Sequence, residues 1–158
     1  MQDSFVPLIV AAGAFLAGIV WRVRPAVRTR RRVSREAWRQ AQARIEEAPD
    51  GPARARALCD AADLAAAQVR GGGRASALYL RAIRSDPGSV EVVARAVAAL
   101  GRRPHGLETL LWRRLALIPW EQSREATRAS LDALRSLYEG PLRSGVRARA
   151  IAHAREMV

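Results

Sequence analysis

The sequence predicts an all-α chain: one membrane-spanning helix followed by a short stack of antiparallel helix pairs. Three observations lead there. Residues 5–21 read FVPLIVAAGAFLAGIVW, a run without one charge. Beyond it, apolar side chains recur at the three- and four-residue spacing of helices with one buried face, and turn residues divide that pattern into short elements. No segment alternates with period two over strand length, so no sheet is expected.

The first element is the membrane helix. At 1.5 Å per residue the run extends roughly 26 Å, and Arg22 can snorkel so that Val23 adds to the ~30 Å hydrocarbon span. Trp21 stands where an interfacial aromatic belongs. Arg22, Arg24, Arg28, Arg30, Arg31 and Arg32 follow the run, whereas Asp3 alone precedes it. The positive-inside rule then puts residues 1–4 outside, 5–21 across the membrane and all that follows in the cytoplasm. A cleaved signal peptide would need a basic start and a small-x-small cleavage site, and the run has neither. Gly13 with Ala17, and Ala14 with Gly18, form two small-xxx-small pairs suited to close helix packing, in a homodimer or a larger membrane complex.

The second region, 22–50, is rich in arginine. The chain carries a formal charge of +12, its basic residues are all arginine, and nine of them fall between Arg22 and Arg44 against the single acid Glu36. Beside a membrane helix such charge meets anionic headgroups, each arginine adding about 1 kcal/mol near the surface. Nucleic acid is the competing partner, through phosphate contacts and a base stacked on Trp38. Lipid is favoured, because the anchor holds these arginines beside it.

Little points to catalysis. Cys59 is the only cysteine, so no intramolecular disulfide forms, and it reads as a small apolar packing residue. His105 and His153 have no carboxylate or thiol partners at metal-ligand spacing. Gly71, Gly72 and Gly73 lack the Lys-Ser/Thr of a phosphate loop and are expected to close a helix. No nucleophile elbow or paired carboxylates occur, so neither an enzyme nor a cofactor is expected.

The helices follow in order. Ser34 offers an N-cap for a helix to Glu47 with Trp38, Ala41 and Ile45 on one face. Asp50, Gly51 and Pro52 form a turn that opens a domain over 51–158, with Pro52 at the first helical position. A helix over 53–70 buries Leu58, Ala61, Ala62, Ala65, Ala66 and Val69. The next, 74–85, contains Ala75, Tyr79 and Ala82 and stops at Asp86-Pro87-Gly88. A further pair, 89–100 and 106–118, sets Val93, Ala94, Val97 and Leu100 against Leu107, Leu110, Leu111, Leu115 and Ile118. Gly101 and Pro104 mark its turn and Pro119 its end. Helices over 121–138 and 142–157 complete the stack, the latter burying Val146, Ala150, Ile151 and Ala154 and turning its arginines outward.

The offsets of Ala75, Tyr79, Ala82 and Pro87 resemble the second helix of a tetratricopeptide repeat, with the resemblance covering mainly residues 55–87. It implies close helix contact at the two alanines, Tyr79 filling the gap between neighbours, and Pro87 turning the chain. The family's usual large aromatic and glycine in the first helix are replaced here by Cys59, Ala62 and Asp63. What the resemblance implies is a short solenoid with an arginine-rich capping helix and a groove lined by first helices. A cytoplasmic array on a membrane helix is similar to bacterial scaffolds that hold soluble partners at the inner membrane. The expected role is therefore a membrane-anchored adaptor for a protein partner, with an accessory subunit of a membrane complex as the alternative. Trp112 and Trp120 flank the Pro119 turn as candidate partner contacts.

Overall fold

The computed structural model describes residues 34–158, and within them the chain is all-helical, with no strand. The expected membrane helix at 5–21, its small-residue packing face and the arginines from 22 to 32 lie outside the described residues. Among the described residues no helix is long and apolar enough to cross a membrane.

Helix α1 (Arg35–Glu47) begins where Ser34 accepts a hydrogen bond from the Ala37 amide at 3.0 Å, and buries Ala41 and Ile45. Gly51, at φ +84°, makes the turn that a side chain would strain, and Pro52 opens α2 (Pro52–Ala66) with its fixed φ. Helix α3 (Gly72–Ser85) returns antiparallel and makes the most extensive helix interface of the fold with α2. Ala61, Ala62, Ala75 and Ala82 are wholly buried there, because side chains of one carbon let two backbones approach closely.

The glycines depart from expectation. Helix α2 ends at Ala66, and Gly72 and Gly73 start α3 instead of closing the helix before it. Two physical causes act. The Arg103 guanidinium, from a distant loop, donates to the carbonyls of Ala66 at 3.2 Å and Gln68 at 2.7 Å, satisfying groups that further helix would have used. A Cβ on Gly71 would fall 1.8 Å from the Ala65 carbonyl oxygen, so only glycine fits that turn. Val69 therefore leaves the helix and is exposed.

Ser89 caps α4 (Val90–Leu100), and Pro104 opens α5 (Pro104–Leu117). A single 3₁₀ turn (Glu121–Ser123) leads into α6 (Arg124–Glu139), and α7 (Gly145–Glu156) closes the array. In α4 the buried face is Val92, Val93, Ala96 and Leu100, so Ala94 points to solvent, contrary to its expected place. In α7 the buried residues are Ala148 and Ile151. Val146, expected in the core, is 72% exposed, and Ala150 is also exposed. The chain at Leu142–Ser144 folds back on α6, with Leu142 N donating to Leu137 O and Ser144 N to Tyr138 O. That turn starts α7 three residues late and rotates its face.

Helices α2, α3 and α4 each pack on the next helix and on the one after it. This order places α2, α4 and α6 in one layer and α3 and α5 in a second, with α1 against α2 at one end and α7 against α6 at the other. One continuous apolar core runs from Ala41 to Ile151 between the layers.

Candidate functional site

Among the described residues, four groups of polar side chains bear on where a site could lie. The first centres on Tyr79. Its ring is wholly buried beside Ala75 and Ala82, and its hydroxyl donates to the Asp63 carboxylate of α2. Arg95 of α4 pairs with the other Asp63 oxygen and with Asp60 at 2.7 Å. The tyrosine proton is held far above its ordinary value, first by burial and then by the Asp63 hydrogen bond. Arg95 loses some basicity to burial but gains more from Asp63 and Asp60, and stays charged. Cys59 lies beneath, its thiol pushed up to about 11 by burial, against a weaker opposing pull from Arg95. A buried neutral thiol is a poor nucleophile.

A second cluster has the same logic at the other end. Tyr138 of α6 donates to Glu108 of α5 at 2.6 Å, and Arg147 of α7 reaches the same oxygen at 3.1 Å. The Trp112 indole donates to the Tyr138 hydroxyl at 3.0 Å.

The third is a lone buried cation. Arg114 is fully buried, yet no carboxylate among the described residues pairs with it. It donates to Thr127 Oγ1 at 3.1 Å, Ser123 Oγ at 3.0 Å and the Pro87 carbonyl at 3.3 Å, while its Nε has no partner. Burial lowers its pKa, but a guanidinium starts so high that it stays protonated. Its bonds tie the turn after α3 to the start of α6.

The fourth place is open. A cleft of about 330 Å³ lies between α1, the start of α2 and α3. Ile45 and Leu78, both nearly buried, form its floor, and Trp38, Arg54, Arg74 and Arg81 stand around it. The Arg74 guanidinium lies 3.6 Å from the centroid of the Trp38 ring, within cation–π range. Arg54 is paired with the exposed Asp50 at 2.6 Å. By contrast, the small cleft between α2 and α4, where first helices were expected to make a groove, holds about 50 Å³ and is bounded by Arg95.

The sequence-assigned residues are thus distributed. Ala75, Tyr79 and Ala82 come together in the core, whereas Pro87 is exposed and contributes its carbonyl to Arg114. Trp120 packs against the core and donates to the Leu115 carbonyl at 3.0 Å, while Trp112 is 43% exposed. His105 and His153 each sit beside a single glutamate, and no group of metal-ligating side chains occurs among the described residues.

Sequence reasoning passed over Arg74, Arg81, Arg95 and Arg114. Only Arg114 left a signal: it follows Leu107 by seven, Leu110 by four and Leu111 by three, so helical register places it inside the apolar stripe. Arg95 and Arg74 find partners 32 and 36 positions away, which no local pattern carries. Comparison with protein-family models, curated proteins and solved structures gives no match.

Proposed function

We propose that this protein is a membrane-anchored adaptor, without catalytic activity, whose cytoplasmic helical array receives a protein partner at a bacterial inner membrane. The observation that carries the reading is the contrast between reactive and open regions. Cys59 is buried and neutral, Asp60 and Asp63 are engaged by Arg95, and Arg114 is sealed in the core. Among the described residues, an accessible feature is a cleft with an apolar floor and a cationic rim. A surface of that kind binds and does not transform.

The two-layer order of α2 to α6 supports a stack of helix pairs, the likeness to tetratricopeptide repeats rests on the sequence offsets of Ala75, Tyr79, Ala82 and Pro87, and the charge asymmetry around residues 5–21 supports the anchor. Anchoring confines the array to a thin layer. Its effective concentration toward other membrane-associated components rises, so a site of modest affinity suffices. The arginines from Arg22 to Arg32 would hold the array against anionic lipid.

Site-specific photocrosslinking tests this in the full-length protein in cells. A photoreactive residue at Ala43, Ala77 or Ala94, all exposed, should give at least one discrete protein adduct in the membrane fraction. Adducts to lipid alone from all three positions would overturn the adaptor reading.

A further inference from the structure

The cleft beside Trp38 carries an inference that rests on the adaptor reading and names the chemistry of the partner. We propose that it binds an acidic segment of a partner protein, seating an apolar side chain on Ile45 and Leu78 and a carboxylate against Arg74.

The geometry of Arg74 is the starting point. A guanidinium stacked on an indole uses its face, which leaves the N–H donors on its edge free. Arg74 and Arg81 form no ion pair with any carboxylate among the described residues, Glu46 of the cleft wall included. Trp38 thus holds a planar fork in place before any ligand arrives, and the fork matches the two oxygens of a carboxylate. Orientation in advance reduces the ordering cost of binding.

Charge selects the occupant. Arg54, Arg74 and Arg81 line the cleft against one acid, Glu46. A second copy of this chain, at +12, would be repelled. The cavity also separates a protein segment from the other polyanions. Arg74 covers a face of Trp38 on which a nucleobase would stack. The floor lies behind a cationic rim in a concavity of about 330 Å³, which suits one apolar side chain better than a flat array of headgroups.

The probe is a fluorescein-labelled peptide of about nine residues with glutamates flanking a leucine, titrated by anisotropy against the full-length protein in nanodiscs of neutral lipid. Arg74→Gln should weaken binding about tenfold, and Arg74→Lys nearly as much, because lysine keeps the charge but loses the stacked fork. Arg149→Gln, an equal charge loss on exposed α7, should change it less than about twofold. The peptide with glutamine for glutamate should not bind. Thermal melts of each variant confirm that the array is folded.

Three outcomes would overturn the proposal: no peptide binding, equal losses from Arg74→Gln and Arg149→Gln, or tighter, Arg74-dependent binding of phosphatidylglycerol vesicles or a single-stranded oligonucleotide. The last would assign the cleft to phosphate. If peptide binding fails while protein crosslinks persist, the acidic-segment inference alone falls. If the peptide binds and crosslinks are absent, the adaptor reading falls and the chemistry of the cleft stands.

Discussion

The two ends of the array are fastened by the same device built to different depths. At the N-terminal end, Tyr79 of α3 donates to Asp63 of α2, which pairs with Arg95 of α4; at the C-terminal end, Tyr138 of α6 donates to Glu108 of α5, which pairs with Arg147 of α7. In each, a buried tyrosine hands its hydroxyl to a carboxylate on the preceding helix, and an arginine from the following helix completes the bridge. Three consecutive helices are thereby locked by one ionised group. The difference lies in the cation. The Arg95 side chain is 28% exposed and holds two carboxylates, whereas that of Arg147 is 65% exposed and holds one. Coulomb attraction is screened by water and salt, so the bolt nearer solvent contributes less. The terminal helix α7 packs against α6 alone, and its weaker fastening fits that position.

Substitution of the tyrosines should have the largest effect and tests whether both bolts rest on burial. Tyr79→Ala should cost about 4 kcal/mol and Tyr138→Ala about 3 kcal/mol in urea unfolding, as for other large core aromatics. The second is set lower because Trp112 and Glu108 border solvent and can turn to water. A loss under about 0.5 kcal/mol at Tyr79 would mean that the ring is exposed and the helix pairing wrong.

The arginines should then separate the two ends. Arg95→Gln should cost about 1.5 kcal/mol, since two carboxylates lose their cation, and Arg147→Gln no more than about 0.5 kcal/mol. Repeating the measurement near 1 M salt, where the screening length is about 3 Å, should reduce the Arg95 effect. Equal costs at both positions would break the comparison.

An alkaline effect, smaller than that of Arg95→Gln, belongs to the N-terminal end. Cys59 titrates at about 11 in the fold against an ordinary value of 9.0, first because burial disfavours its thiolate. A raised folded value means that stability is complete below about pH 9 and declines as pH rises toward 11, because only the unfolded chain releases the proton easily. The loss by about pH 10 should be on the order of 1 kcal/mol, and Cys59→Ala should remove that part of the pH dependence. Tyr79, raised in the same direction, adds its share only at higher pH. An unchanged slope in Cys59→Ala would show that the thiol reaches solvent.

Much of the architecture was legible locally. Ser34 caps the helix it was expected to cap, Pro52 occupies its first-turn position, and Ala75, Tyr79 and Ala82 share a buried face, whereas Ser89, read as helical, is a cap, and Pro104, read as part of a turn, opens its helix two residues early. These follow from dihedral limits and from the 3.6-residue period, which act within one turn of chain. The larger departures have distant causes. Helix α2 stops at Ala66 because Arg103 arrives from another loop to bind its carbonyls, and α7 turns Val146 outward because the turn at Leu142–Ser144 bonds back to α6.

The sequence by itself determined that the described part is helical, which residues form most of its core, and where charge is concentrated, since composition, period and capping are properties of neighbouring residues. Tertiary structure alone decided which polar groups meet. Asp63 and Arg95 lie 32 residues apart, Glu108 and Tyr138 thirty, and Trp38 and Arg74 come from helices with a third between them in the chain. A hydrogen bond or an ion pair acts over a few ångströms of space, not along the chain, so the two tyrosine bolts and the open cleft came into being only once the helices had stacked.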